Sequence, residues 1–190
     1  MHIQTNWINF LYNTSRRTKK VRSLLTPIGV FIFGIFICLF VLAAKYVDNV
    51  LNLPKLNLAV WNKIISTLFL ILGLVFVIWS VMHFLKGKGT PVPINPPPKL
   101  VNTGPYAYTR NPMLTGVFFL LFGIGFFLSS FSLIFVFTPL FILANYWELT
   151  IIEEPELLKR LGEEYKIYKK KTPMFFPRLN QIFRIKGLKQ

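Results

Sequence analysis

The chain has 190 residues, 53% of them hydrophobic and only 15% charged, and its mean hydropathy of +0.51 lies above what a soluble domain carries, so a bilayer is its solvent. The 22 Lys and Arg against 7 Asp and Glu give +15, which would also suit a nucleic-acid binder, but cations flanking apolar spans are what anionic lipid surfaces attract, so charge alone does not argue for a nucleic-acid partner. A single cysteine, Cys38, excludes an intrachain disulfide, and two histidines without a cysteine cluster give a metal site no support.

Residues 1–25 are polar and basic, with Arg16, Arg17, Lys19, Lys20 and Arg22 just ahead of an apolar run. No small-residue cleavage site follows, so a signal peptide is rejected. Thr26 to Ala44 is predicted as a first transmembrane helix, because about 20 residues at 1.5 Å each cross a hydrocarbon core roughly 30 Å thick. Lys45 to Leu58, with Asp48 and Pro54, is a short connector. Ala59 to Leu85 is the second span, with Lys63 near enough to its start to snorkel.

The loop from Lys86 to Pro112 holds seven of the 13 prolines and three of the 11 glycines. It cannot be a regular helix, since Pro removes donors and fixes φ. It ends in Tyr106, Tyr108, Arg110 and Asn111 where the chain re-enters the membrane, which favours a binding surface over a linker. Met113 to Ile152 exceeds one span and has a turn, Ser129 to Ser132, in its middle, so it reads as spans three and four, the latter kinked by Pro139. From Val117 to Ile152, 36 residues hold one charged side chain, Glu148. Beyond Ile152 the chain turns polar. Leu157, Leu158, Leu161, Tyr165 and Tyr168 share one helical arc, so an amphipathic helix is expected, started by Glu154, Pro155 and Glu156 and ended at Lys169 to Lys171.

The prediction is one all-α polytopic membrane domain of about four transmembrane helices, with spans one and two in 26–85 and the loop, hairpin and cytosolic C-terminal cap helix in 86–190. Four spans put nineteen of the 22 cations on one side, against Lys45, Lys55 and Lys63 on the other. By the positive-inside rule the nineteen, both termini and the two polar motif segments face the cytoplasm.

The run LVNTGPYAYTRNPMLTG followed by EEPELLKRLGEEYKIYKKKTPMFFP resembles the integral-membrane methyltransferases of the isoprenylcysteine carboxyl methyltransferase and phospholipid methyltransferase superfamily. Asn111 stands where the carboxyl methyltransferase form has His, and Leu114 where an aromatic is frequent. The resemblance implies a cytosol-facing S-adenosylmethionine pocket and a lipophilic acceptor reached through the bilayer. It implies cofactor contacts from Gly87 and Gly89 of a GxG element, from Gly104, Pro105, Tyr106, Arg110, Asn111 and Pro112, and from Glu153 and Glu154. Arg110 and Glu154 are the expected catalytic residues, with Tyr108, Met113, Trp147 and Glu148 toward the substrate. A zwitterionic, aromatic and cationic cofactor asks for these residue types: aromatic faces, a carboxylate for its diol or ammonium, and donors for its carboxylate. The expected acceptor is small or lipid-linked, a carboxylate or thiol as in an isoprenylcysteine. The alternatives are a phospholipid amine or a non-enzymatic scaffold of the same fold. Residue by residue, plainer roles compete: Arg110 as an interfacial anchor, Glu153 and Glu154 as helix-terminus charges, Tyr106, Tyr165, Tyr168 and Trp147 as an aromatic belt, His83 as a packing residue.

Overall fold

A computed structural model describes residues 19–87 and 97–176, with Asn9 and Asn13. Gly89, the Arg16 and Arg17 pair and the basic tail from residue 177 therefore lie outside the described residues. All described regular elements are helical: α1 Lys19–Val50, α2 Val60–Lys86, α3 Pro112–Leu128, α4 Thr138–Glu148, α5 Glu154–Leu161 and α6 Glu163–Lys171. A 3-10 turn, Gly104–Ala107, precedes α3. Wide π turns, Leu133–Phe137 and Leu149–Glu153, flank α4 and make Leu133–Leu161 one helical run.

Among the described residues three helices are long and apolar enough to cross a membrane: Thr26–Val50, Val60–Lys86 and Leu133–Leu161. The predicted third span is the shorter apolar helix Pro112–Leu128, 17 residues, or roughly 26 Å at 1.5 Å per residue. The first span does not stop at Ala44, because the helix continues through Lys45 to Val50. Its extra turns carry Asp48 to the tip of the α3–α4 hairpin. There the carboxylate accepts from the Ser130 hydroxyl and, at 2.8 Å, from the Ser132 N–H, capping the donors at the start of the last helical run. The Ser132 hydroxyl donates back to the Ala44 carbonyl at 2.7 Å. Pro139 lies in the first turn after Phe137, the end of the first π turn, and that wide turn makes room for a residue without an N–H.

Glu154, Pro155 and Glu156 do not start a separate helix. The π turn Leu149–Glu153 leads straight into α5, and the break comes later, at Gly162, whose φ of +60° divides the expected cap helix into α5 and α6. A proline near the beginning of a helical segment costs no backbone bond if the preceding turn is widened, so the span runs on.

The closest helix crossing is α2 against α3. Asn62, Ser66, Gly73 and Ser80 are the buried residues of α2, the last three seven apart and so on one stripe. Gly73 and Ser66 face Gly116 and Gly123. A Cβ on Gly73 would lie 2.8 Å from the Gly116 carbonyl oxygen, and one on Gly116 would lie 2.8 Å from that of Gly73. The Ser66 hydroxyl donates to the Gly123 carbonyl at 2.9 Å. Lipid gives helices no hydrophobic reason to associate, so small residues that let backbones approach supply the packing instead. Phe40 of α1 packs on Phe137 and Phe141, with ring centroids 5.2 and 5.5 Å away.

Gly116→Leu should therefore lower stability by about 1–3 kcal/mol, the usual cost of overpacking, read as a lower Tm in detergent. Gly34→Leu, at a glycine where an added Cβ would meet nothing within 4 Å, should leave Tm unchanged.

Candidate active site

The turn from Thr103 to Asn111 is built against the end of α2. Gly104 has φ +59°, and a Cβ there would overlap the imidazole ring of His83, so both conformation and space require glycine. The Tyr106 ring packs 4.7 Å from Phe84, centroid to centroid, and Tyr108 sits 6.4 Å from Trp79. His83 is the wall of this turn, with Nδ1 2.9 Å from the Trp79 carbonyl oxygen.

A strap after α6 holds the other side. The N–H groups of Arg110 and Asn111 donate to the carbonyls of Pro173 and Met174 at 2.9 and 3.1 Å. The Thr109 hydroxyl donates to Met174 at 2.7 Å and that of Thr115 to Phe175 at 3.0 Å. One helical turn earlier than the strap, the Tyr168 hydroxyl donates to the Tyr106 carbonyl at 2.7 Å. The two motif segments, some sixty residues apart in sequence, thus share one hydrogen-bonded layer, which satisfies the irregular backbone that a proline-rich turn leaves open.

Charge is concentrated beneath that layer. Arg110 and Glu154 form an ion pair with side chains 10% and 3% exposed, and the second Glu154 oxygen lies 2.5 Å from Lys169 Nζ. Arg110 Nε is buried without a hydrogen-bond partner. Glu156 pairs with Arg160 at 3.0 Å, and Arg160 Nη1 donates to the Pro97 carbonyl at 3.1 Å, tying α5 to the loop. The π turn inserts one residue into the helical register just before Glu154, so Glu154 faces Arg110 while Glu153 stays half-buried nearer Glu148 and Glu156. Such insertions are frequent at functional sites. Burial pushes the phenols of Tyr106, Tyr165 and Tyr168 above the ordinary tyrosine range. Beside Arg110, Tyr165 is therefore a neutral hydroxyl.

The expected residues divide by place. Gly104, Pro105, Tyr106, Arg110, Asn111, Pro112 and Glu154 meet in this layer. Gly87 ends α2 against Val101 and Pro97. Glu153, Glu148 and Met113 are half-buried at its edge, and Tyr108 lies over Trp79. Trp147 is 63% exposed, on the outer face of α4. Sequence reasoning missed Lys169 and Arg160 as partners of buried carboxylates, and Thr109, Thr115 and the 173–175 strap as the latch. Lys169 was legible only as helix-terminal charge, and the strap as a tail.

The family model described as phospholipid methyltransferase matches residues 61–164, more than half of the chain and a stretch that includes Arg110 and Glu154. The chain belongs to the phospholipid methyltransferase family. Together with the apolar helices, this makes it an integral membrane protein of a methyltransferase family. A nickel-cobalt-cadmium resistance protein, NccN, of Alcaligenes xylosoxydans xylosoxydans is 32% identical over 107 residues, 56% of this chain and 45% of that protein. The chain thus matches less than half the length of that relative. No solved structure matches this phospholipid methyltransferase family member.

Tyr168→Phe should leave the Tyr106 carbonyl without its partner and cost about 1–3 kcal/mol, measured as Tm in detergent. A phenol whose folded pKa is raised contributes stability below the ordinary value of about 10 and loses the advantage above it. Tyr106, Tyr165 and Tyr168 should accordingly resist ionisation in an ultraviolet phenolate titration until the protein unfolds.

Proposed function

We propose that the protein transfers a methyl group from S-adenosylmethionine to a small or lipid-linked acceptor at the cytosolic face of the membrane. The observation that carries this reading is the buried Arg110 and Glu154 pair, which joins the two motif segments at one end of α3 and of the last helical run. The residues present suit the cofactor's groups. Arg110, with a buried N–H still to donate, suits its amino-acid carboxylate. Glu153, half-buried beside the ion-paired Glu154, suits the ammonium or ribose diol. Tyr106 and Tyr108, with the backbone around Gly104 and Gly87, would bound the adenine and sulfonium. Asn111 adds a donor beside Arg110.

When bound, the sulfonium supplies an electrophilic methyl, which passes to an acceptor lone pair as the sulfur takes the bonding electrons. Such an in-line displacement asks the chain chiefly for alignment and exclusion of water. The 173–175 strap and α6 roof the turn and perform that exclusion. Glu154 is engaged by two cations, so its proposed catalytic part is to hold Arg110 in place rather than to act as a base toward an amine acceptor. A carboxylate or thiol acceptor, as in an isoprenylcysteine, needs no such base at neutral pH if it enters ionised. A phospholipid amine is the second reading, favoured by the description of the matching family model. The surplus of Lys and Arg on the loop and C-terminal segment supports a cytosolic site.

Detergent-solubilised protein should bind S-adenosylhomocysteine in calorimetry. Arg110→Ala and Glu154→Gln should each weaken binding or turnover by at least about tenfold, the scale of one charge-assisted bond, while membrane insertion persists. Absence of heat with the unaltered protein, the result expected of a scaffold, would overturn the assignment. Radiolabelled methyl transfer to a phospholipid extract against prenylcysteine analogues separates the two acceptor classes.

A further inference from the structure

Resting on the assignment of Arg110 and Glu154 to the cofactor site, we propose that Lys169 is a positioning residue: by occupying the second oxygen of Glu154, it keeps the charge of Arg110 available to the carboxylate of the bound cofactor. Glu154 is 2% exposed and reaches two cations from different elements, Arg110 ahead of α3 and Lys169 on α6. A carboxylate shared by two cations cancels one of them. The ion-paired trio therefore keeps a net charge of +1, and the buried Nε–H of Arg110, beside the Tyr165 phenol, makes no well-aligned hydrogen bond. Without the lysine, the Glu154 carboxylate would turn chiefly to Arg110 among the described residues. The guanidinium would then be neutralised by its own support, which weakens it toward a second anion.

The placement of Lys169 follows from the fold rather than from charge alone. Tyr165 and Tyr168 are the buried residues of α6, and position 169 lies one turn after Tyr165 on that face. Lys170, the next residue of the basic run, lies off that face and is exposed. Both inward phenols are held neutral by burial, so they leave the charge balance of the trio unchanged. Lys169 itself is 40% exposed along its side chain, with its stem at the surface and its ammonium reaching a buried acid. This geometry exceeds what a C-terminal helix charge requires, since interaction with the dipole needs no partner at 2.5 Å. α6 thereby does more than roof the turn.

Calorimetry with two probes tests the idea. S-adenosylhomocysteine carries the amino-acid carboxylate, and 5′-methylthioadenosine lacks the amino-acid moiety altogether. Lys169→Met should weaken S-adenosylhomocysteine by about tenfold and leave 5′-methylthioadenosine within about twofold, while Lys169→Arg retains both affinities. In a Glu154→Gln background the same Lys169→Met change should cost nothing further, because Lys169 acts through that carboxylate. Lys170→Met serves as the control and should be silent. Equal weakening of both probes would assign Lys169 a merely structural part and overturn the proposal, as would unaltered S-adenosylhomocysteine binding in Lys169→Met. Lys169→Gln is scored by the same criteria should the methionine variant fail to insert. Failure of the unaltered protein to bind S-adenosylhomocysteine would instead remove the cofactor assignment, and this inference with it.

Discussion

A carboxylate buried at the end of a membrane-spanning run has to be paired, and the pairing of Glu154 organises the motif-bearing end of this protein. An unpaired ionised side chain there costs several kcal/mol, so Glu154 draws Arg110 from the loop and Lys169 from the C-terminal segment onto one point. Three stretches remote in sequence are thereby held together by one charge. The hydrogen-bonded layer of Thr109, Arg110 and Asn111 against Pro173 and Met174 then satisfies the backbone of a turn that proline and glycine prevent from being helical.

That arrangement is anchored from below by geometry rather than by charge. The small-residue stripe of α2 and the glycines of α3 bring the two backbones to van der Waals contact, which fixes where α3 begins and hence where Arg110 stands. Ser80, the last member of the stripe, is fully buried one helical turn before Phe84, which carries the Tyr106 ring. At the opposite end, Asp48 and the serines of the hairpin tie α1 to the last run. Packing in the middle and polar bonds at both ends is the division of labour expected where water is absent and apolar surfaces gain nothing by meeting.

The two π turns connect this architecture to the site. The first accommodates Pro139 without ending the helix. The second shifts register by one residue directly before Glu154, so adjacent glutamates serve different neighbourhoods. Glu154 turns into the ion-paired trio, and Glu153 keeps to the side of Glu148 and Glu156. A regular helix would have presented the pair about 100° apart with no such freedom to place the second.

The all-helical membrane class, the hairpin turn at Ser129 to Ser132 and the two motif segments were legible in the sequence, because hydropathy, turn residues and motif spacing are local or one-dimensional signals. The resemblance carried by GPYAYTRNP and EEPELLKRLGEEY agrees with the family shown by residues 61–164. Only the tertiary structure decided that three of the described helices reach spanning length while Pro112–Leu128 is shorter, and that α1 runs on past Ala44 because Asp48 has a hairpin to cap. It also decided that Pro155 continues a helix instead of opening one, that Gly162 divides the cap helix, and that Trp147 faces outward. The role of Lys169 belongs to the same class: a lysine in a basic run carries no mark of the buried carboxylate it will meet. Composition and periodicity record the solvent each residue prefers. Which charges end up paired depends on where whole helices cross, and here that is set by glycines and serines whose only signal is their smallness.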